Sequence, residues 1–175
     1  MKVGRKILVA CCAGGMLVTT TPMARSTTTA VGPPSEQAIH DFFGERRQPI
    51  YFDDTLARQF AIGISGGVED ERILPGGDRF VATCRPHNCA DKAAVVIAKD
   101  GRILGAGMIG FRCHHRGDGV PPCDENPSAI VYVKRATTAG ARNQLRAWAI
   151  KRLADPTVEA GHLKTKHDAI VIEFN

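Results

Sequence analysis

The spacing of apolar and polar positions predicts two helices. Apolar residues recur at helical spacing over about residues 35–46 and again over about 139–154. Ser35 is a favourable N-cap for the first helix, and Thr137 or Thr138 for the second. Each helix should therefore have one buried side and one solvated side. The residues expected on the buried sides are Phe42, Phe43, Leu145, Trp148, Ala149 and Leu153.

Short runs rich in β-branched residues predict strands in the middle and at the end of the chain. The predicted strands cover residues 79–83, 93–98, 103–111, 128–134 and 168–174. Turn signals stand at Pro75-Gly76-Gly77-Asp78 and at Lys99-Asp100-Gly101, so neighbouring strands are joined by short connections. The pattern therefore predicts an α+β fold, with a central antiparallel sheet of about five strands and helices packed on it.

Two segments between the first helix and the first predicted strand are harder to assign. Residues 49–52 have the composition of a short extended segment. Residues 60–64 fit either a strand or the end of a helix that begins near Asp54. The sequence alone leaves this second choice open.

The segment Gly63-Ile64-Ser65-Gly66-Gly67 has the Gly-x-Ser-x-Gly spacing of a hydrolase nucleophile elbow. That elbow needs a strand, a sharp turn and then a helix, whereas Pro75 follows here within two helical turns. We therefore interpret the segment as a flexible Gly/Ser turn. A small secreted hydrolase that uses Ser65 with His87 or His115 is kept as the alternative function.

The first 26 residues have the composition of a secretory signal peptide. Three basic residues form a positive n-region, residues 7–20 are mostly apolar or small, and small residues at positions 24 and 26 suit a cleavage site. Residues 27–34 lack periodicity and end in two prolines, which indicates a flexible leader. The sequence thus predicts export to the periplasm in preference to secretion or to lipid anchoring at Cys11, no membrane insertion after signal cleavage, and one domain over residues 35–175.

Removal of the signal segment changes the charge of the protein. The full chain has 23 basic and 18 acidic residues, a net charge of +5. Four of the basic residues and none of the acidic ones lie in residues 1–26, which leaves 19 basic and 18 acidic residues, or about +1. The apparent basicity therefore belongs to the targeting segment, and we expect no nucleic-acid partner.

Four cysteines remain after the signal segment is removed, namely Cys84, Cys89, Cys113 and Cys123. In an exported protein they predict two disulfides, for which three pairings are possible. The nearest-neighbour pairing, Cys84–Cys89 and Cys113–Cys123, closes short loops that stabilise the fold by about 2 and about 3 kcal/mol. The Cys and His spacings do not fit a zinc site, so we predict no metal and no other cofactor.

Residues 84–89, Cys-Arg-Pro-His-Asn-Cys, are the candidate functional site. Pro86 fixes its own φ and restricts Arg85, so a disulfide across the stretch would hold His87 at the tip of a stiff loop. The loop lies between two predicted strands, which give it a rigid mount. The sequence shows no paired carboxylates, phosphate loop or complete Ser/His/Asp set. We therefore assign no catalytic residue and favour a binding protein over an enzyme.

This stretch resembles Cys-Lys-Pro-His-Asp-Cys, the signature of the Ivy family of bacterial inhibitors of vertebrate (c-type) lysozyme. Cys84, Pro86, His87 and Cys89 match the signature. The resemblance implies an exported protein with a central sheet flanked by helices, whose residues 84–89 form an inhibitory loop that plugs the active-site cleft of c-type lysozyme. It also implies that His87 enters between the two carboxyl groups that a retaining glycosidase needs, and hydrogen-bonds both.

Two positions depart from the signature. Arg85 stands in place of lysine, which keeps the charge but changes the donor geometry. Asn88 stands in place of aspartate, which removes the carboxylate. If the family's aspartate acts through its charge, inhibition by this chain is expected to be weaker. The sequence leaves the physiological lysozyme open, and it permits a monomer or a homodimer.

Overall fold

The computed structural model of the protein describes residues 32–111, 124, 126–154 and 170–174. These residues form three helices and six strands. In chain order the elements are α1 (Glu36–Phe43), α2 (Leu56–Ile64), β1 (Val68–Ile73), β2 (Arg79–Arg85), β3 (Asn88–Ile97), β4 (Ile103–Gly110), β5 (Ser128–Lys134), α3 (Ala139–Leu153) and β6 (Ile170–Phe174). The predicted signal peptide, most of the predicted leader and the predicted Cys113–Cys123 pair lie outside the described residues.

Each described helix begins at a capping side chain. Ser35, Thr55 and Thr138 each accept a hydrogen bond from the backbone N–H three residues further on, which satisfies a donor that the first helical turn leaves free. The helices predicted near residues 35–46 and 139–154 are thus confirmed as α1 and α3. The open choice at residues 60–64 is resolved as a helix, α2.

Residues 49–52 do not form the predicted extended segment. They wrap instead around the side chain of Gln59, which is buried within α2. Its Oε1 accepts the backbone N–H groups of Ile50 and Tyr51, each at 3.0 Å. Because a side chain satisfies these donors, the segment needs no strand partner. Tyr51 is thereby buried against the sheet.

The six strands follow their order in the sequence across the sheet. Strands β1 to β5 form an antiparallel meander, but β6 pairs with β5 in parallel. The reason is the connection through α3. Strand β5 ends where α3 begins, and the helix carries the chain back along the sheet, so that β6 starts at the same end as β5. The predicted α+β fold, a central sheet of about five strands with helices packed on it, is therefore confirmed; the sheet has six strands, and the parallel pairing of β6 makes it mixed.

The sequence pattern does not predict β1. Its residues, Val-Glu-Asp-Glu-Arg-Ile, lack the alternation of a half-buried strand, and the strand lies at the sheet edge with almost all of its side chains exposed. It joins β2 through the predicted turn at residues 75–78, where Gly76 and Gly77 have φ angles of 101° and 88°. Left-handed backbone of this kind favours glycine, which explains the Gly-Gly pair.

Helices cover both faces of the sheet. α1 and α2 pack on one face through a core that includes Phe43, Phe60 and Tyr132, and α3 packs on the other face through Leu145 and Trp148. The central strands are buried on both sides, which accounts for the long apolar runs in β3 and β5. Within the described ranges, no helix has both the length and the apolar character needed to cross a membrane.

One end of the sheet carries the turn between β2 and β3, and we call it the hairpin end. Val68 at the start of β1, Gly110 at the end of β4 and Ser128 at the start of β5 lie at this same end, because neighbouring strands alternate in direction. The turns at residues 75–78 and 99–101 lie at the opposite end. The hairpin end is therefore where the candidate site is built.

Candidate functional site

The candidate site is a tight hairpin between β2 and β3. Arg85, the last residue of β2, pairs with Asn88, the first residue of β3, so only Pro86 and His87 form the turn. The loop predicted at residues 84–89 therefore has fewer residues than expected, since four of the six already belong to strands. Antiparallel strands can be joined by a two-residue turn of this kind, which leaves the tip little freedom.

His87 occupies the tip with its backbone in the left-handed region, at φ 62°. Few residues other than glycine adopt this conformation, although histidine does so more often than most. Pro86 has its φ fixed by its ring, and proline followed by a positive φ is the arrangement of a type II turn. The His87 side chain is exposed and makes no hydrogen bond or ion pair with another described residue. The ring is thus free to contact a partner.

A disulfide joins Cys84 in β2 to Cys89 in β3, with Cα atoms 4.6 Å apart. It is one of the bonds that the sequence allows, and it crosses the hairpin next to the turn. Cys84 is largely buried, whereas Cys89 is exposed. The bond therefore links the protein interior to the base of the tip.

The pairing of β2 with β3 shifts directly below the turn. Arg85 faces Asn88, whereas Cys84 faces Lys92, so three residues of β3 have no counterpart on β2. A bulge of this kind bends the strand and redirects its side chains. The last of the three residues is Asp91, whose side chain is only 5% exposed.

The carboxylate of Asp91 receives hydrogen bonds from both residues that flank the tip. Its Oδ2 accepts from Nη1 of Arg85 at 2.6 Å and from Nδ2 of Asn88 at 2.9 Å. Burial raises the pKa of Asp91, while the charge of Arg85 and the hydrogen bonds from Arg85 and Asn88 act in the opposite direction. Arg85 and Asn88, the two departures from the Ivy signature, are thus engaged with a buried carboxylate.

Tyr51 supports the hairpin from the face that carries α1 and α2. Its hydroxyl donates to the carbonyl oxygen of Lys92 at 2.6 Å, and its ring centre lies 5.7 Å from the guanidinium carbon of Arg85. Burial, and then the charge of Asp91, raises the pKa of Tyr51 well above its usual value, so the hydroxyl stays a donor. Gly110 makes room for this ring, because a Cβ there would come within 2.7 Å of it.

A network of charged side chains holds the hairpin base from β1 and α3. Nζ of Lys92 lies 2.6 Å from Oε1 of Glu69 in β1, and Nη2 of Arg152 in α3 lies 3.4 Å from the other oxygen of Glu69. The Lys92 side chain is only 4% exposed, and its charge is compensated by Glu69, whose side chain is partly exposed on β1. Strand β3 is thereby tied to both β1 and α3.

The Gly-x-Ser-x-Gly segment packs against the base of the hairpin. The backbone N–H of Cys84 donates to the carbonyl oxygen of Gly67 at 3.3 Å, and a Cβ at Gly66 would overlap the carbonyl oxygen of Cys84. Ser65 follows helix α2 and precedes strand β1, the reverse of the order in a nucleophile elbow. Its hydroxyl donates to the carbonyl oxygen of Ile62 at 2.9 Å. Gly63 and Ile64 are the last residues of α2, so only residues 65–67 form a turn, and its contacts with Cys84 hold it in place.

Other parts of the structure bear on a metal site, a ligand cleft and the alternative hydrolase function. The described residues contain no group of three or more His, Cys, Asp or Glu side chains that would hold a metal ion. A cleft of about 390 Å³ lies at the opposite end of the sheet, between α1 and the β3–β4 turn, and none of its lining residues belongs to the hairpin. His115, a partner considered for Ser65, lies outside the described residues.

Sequence reasoning missed Asp91, Tyr51 and Glu69 as parts of the site. A signal for Asp91 exists, because Asp91 and Lys92 are charged residues placed directly before the apolar run of β3. Charged groups at the start of a buried strand must find partners as the sheet forms. Tyr51 and Glu69 reach the hairpin only through tertiary packing, which no local pattern reports.

Comparison of the chain with protein-family models, with curated proteins and with solved structures finds no match. The case for a function therefore rests on the hairpin, which both the sequence and the structure single out. The hairpin has an exposed tip on a buried base. A rigid, exposed tip of this kind is suited to insertion into a partner.

Proposed function

We propose that the protein inhibits a c-type lysozyme by inserting the hairpin tip, with His87 foremost, into the active-site cleft. The observation that carries the proposal is the tip itself, an exposed histidine at φ 62° on a disulfide-closed hairpin whose base is buried. A left-handed residue other than glycine costs free energy and persists where the surrounding structure imposes it, which is common at functional sites. The resemblance of residues 84–89 to the Ivy signature supplies the class of target.

The chemistry of the target explains why a histidine suits the tip. A retaining glycosidase carries two carboxyl groups about 5–5.5 Å apart beside the scissile bond. A protonated imidazole donates from both of its nitrogens and is therefore suited to contact both groups. His87 in this position excludes the sugar from the site of cleavage.

The support of the hairpin favours tight binding. The turn has two residues, and the disulfide and the hydrogen bonds to Asp91 fix both of its sides. Little conformational entropy is then lost when the tip is bound. Arg85 and Asn88 contribute to this support within the hairpin. We therefore propose that the departures from the Ivy signature at these two positions preserve inhibition.

The proposal includes action in the periplasm. Disulfides persist in oxidising compartments, and the Cys84–Cys89 bond is compatible with export. The pattern of residues 1–26 fits a signal for that export. Without this segment the net charge is about +1, which gives no strong overall attraction to a basic lysozyme. Recognition would then depend on the tip.

A lysis assay tests the proposal, with the protein lacking residues 1–26 added to a c-type lysozyme that acts on bacterial cell walls. The wild-type protein is expected to inhibit at micromolar concentration or below. His87→Ala is expected to weaken inhibition by at least about 30-fold, the effect of losing a central contact of about 2 kcal/mol. His40→Ala is the matched control, because His40 is also exposed but lies on α1 with Glu45 as its partner.

Absence of inhibition by the wild type, or equal inhibition by the wild type and His87→Ala, would contradict the proposal. Ser65→Ala distinguishes lysozyme inhibition from the alternative hydrolase function. Unchanged inhibition by this variant agrees with a binding mechanism. Hydrolysis of an ester substrate that disappears in Ser65→Ala would instead support the hydrolase.

A further inference from the structure

The two residues beside the hairpin tip converge on one buried atom. Arg85 precedes the turn and Asn88 follows it, and both donate to Oδ2 of Asp91, at 2.6 and 2.9 Å. We propose that Asp91 is the positioning residue of the tip: its carboxylate holds Arg85 and Asn88 and so fixes the turn that presents His87. The disulfide is then a second tether on the same hairpin.

The geometry favours a positioning role over a general role in the core. The Asp91 side chain is 5% exposed, and the bulge in β3 brings it to Arg85. The side chains of Arg85 and Asn88 are partly or largely exposed, so burial does not require either of them to be where it is. Hydrogen bonds to a charged acceptor are stronger than those between neutral groups. The turn cannot swing away without breaking at least one of them.

The surroundings of Asp91 separate it from the other charges at the hairpin base. Arg85 supplies the opposite charge, and Tyr51 packs beside them while its hydroxyl donates to the backbone of Lys92. The Lys92 side chain is paired with Glu69. Glu69 and Lys92 thus tie the hairpin base to the sheet without contacting the tip. Among the described residues, Asp91 alone binds both flanks of the turn through its side chain.

The disulfide and Asp91 hold the hairpin in parallel. The Cys84–Cys89 bond closes one ring around the turn, and the hydrogen bonds to Asp91 close another through Arg85 and Asn88. Because each of these two links restrains the turn independently, the turn stays restrained when only one of them is removed. Loss of both should therefore have a larger effect than the product of the separate losses. Asp91 is expected to matter most when the disulfide is absent.

Amide hydrogen exchange followed by NMR tests the positioning role without any partner. Asp91→Ala is compared with the wild type, each with the disulfide and without it through the paired changes Cys84→Ala and Cys89→Ala. With the disulfide present, Asp91→Ala is expected to speed exchange at Arg85 and Asn88 by less than about tenfold, the factor for one hydrogen bond to a charged group, because the disulfide still holds the hairpin. Without the disulfide, the increase is expected to exceed the product of the separate effects.

Two further variants make the exchange experiment specific. Asp91→Asn keeps the shape and one acceptor oxygen, so its effect is expected to be smaller than that of Asp91→Ala. Asp100→Asn is the matched control, because Asp100 pairs with Arg102 at the β3–β4 turn at the other end of the sheet. It is expected to leave exchange at the hairpin unchanged.

Two results would overturn the positioning role. One is unchanged exchange at Arg85 and Asn88 in Asp91→Ala, both with and without the disulfide. The other is faster exchange spread evenly over β2, β3 and β4, because that pattern reports loss of the fold instead of release of the tip.

The consequence for inhibition rests on the proposed function. If that function holds, Asp91→Ala without the disulfide weakens lysozyme binding by about tenfold relative to the same protein with Asp91, whereas Asp100→Asn does not. A wild-type protein that fails to bind lysozyme removes the proposed function, while the exchange result still decides the role of Asp91. If Asp91→Ala without the disulfide speeds amide exchange at Arg85 and Asn88 and yet binds lysozyme as well as the same protein with Asp91, positioning of the tip by Asp91 is not needed for binding.

Discussion

Position 87 combines an unfavourable backbone conformation with an exposed side chain. A left-handed residue other than glycine costs roughly 1–2 kcal/mol. Packing does not require the histidine, since its ring has no partner among the described residues. Glycine would remove the backbone cost, but it would also remove the ring. The choice of His87 is therefore better explained by a contact outside the protein than by folding.

Substitutions of His87 are expected to separate stability from binding. His87→Gly should be about 0.5–1 kcal/mol more stable than His87→Ala, because glycine avoids the Cβ penalty at this φ although its unfolded state is more flexible. Both variants should lose lysozyme inhibition to the same extent. Urea unfolding at neutral pH measures the difference in stability. A result in which His87→Ala is the more stable variant would argue against a left-handed tip.

At the scale of elements, the hairpin depends on the connection that packs on its base. The α2–β1 connection supplies Gly66 and Gly67, which differ in their surroundings. A Cβ at Gly66 would overlap the carbonyl oxygen of Cys84, whereas a Cβ at Gly67 meets nothing within 4 Å. A backbone atom within a paired strand yields less readily than the end of a side chain. The connection therefore needs glycine at only one of these two positions.

Gly66→Ala is expected to lower the free energy of unfolding by about 1–3 kcal/mol, because the added methyl group displaces the backbone of β2. Gly67→Ala is the matched control and should change the free energy of unfolding by no more than about 0.5 kcal/mol. Urea denaturation of both variants gives the comparison. Equal stability of the two would show that the connection does not press on Cys84.

Local sequence patterns predict those helices and strands that have a buried apolar side. The sequence shows the caps and the periodic apolar positions of α1 and α3. It also shows the apolar runs of β2 to β5. It does not show strand β1, because an edge strand with solvated side chains has no alternation to detect. The direction of β6 depends on the path of the chain through α3. The cysteines and His87 mark the candidate site, whereas the contacts of Asp91 depend on a bulge that the sequence does not reveal.

At the scale of the whole molecule, two charged side chains, Asp91 and Lys92, are buried beneath the hairpin, each with a partly exposed partner. Asp91 is paired with Arg85, and the adjacent Lys92 is paired with Glu69. Replacing buried ion pairs by apolar residues of similar size often raises stability. An apolar base, however, would not hold the two residues that flank the tip. The buried charges therefore favour one geometry of the hairpin at some cost in stability.

This cost predicts how the stability of the fold changes with pH. Burial raises the pKa of Asp91 above its ordinary value of 3.8, so the native state keeps this proton to a higher pH than the unfolded state does. Between the two pKa values the native state binds more protons, and the contribution of Asp91 to stability falls as the pH rises. The described groups that act on Asp91 are Arg85, Asn88 and Tyr51, and none of them changes charge in this range.

Asp91→Asn removes this titration and isolates its effect. The free energy of unfolding of the variant, minus that of the wild type, is expected to increase from about pH 3.8 up to the raised pKa and to stay constant above it. The slope can reach at most about 1.4 kcal/mol per pH unit, the value for one proton. Urea unfolding of both proteins from about pH 3.5 to neutral pH measures it. A difference that decreases with pH would mean that the attraction of Arg85 outweighs the burial of Asp91.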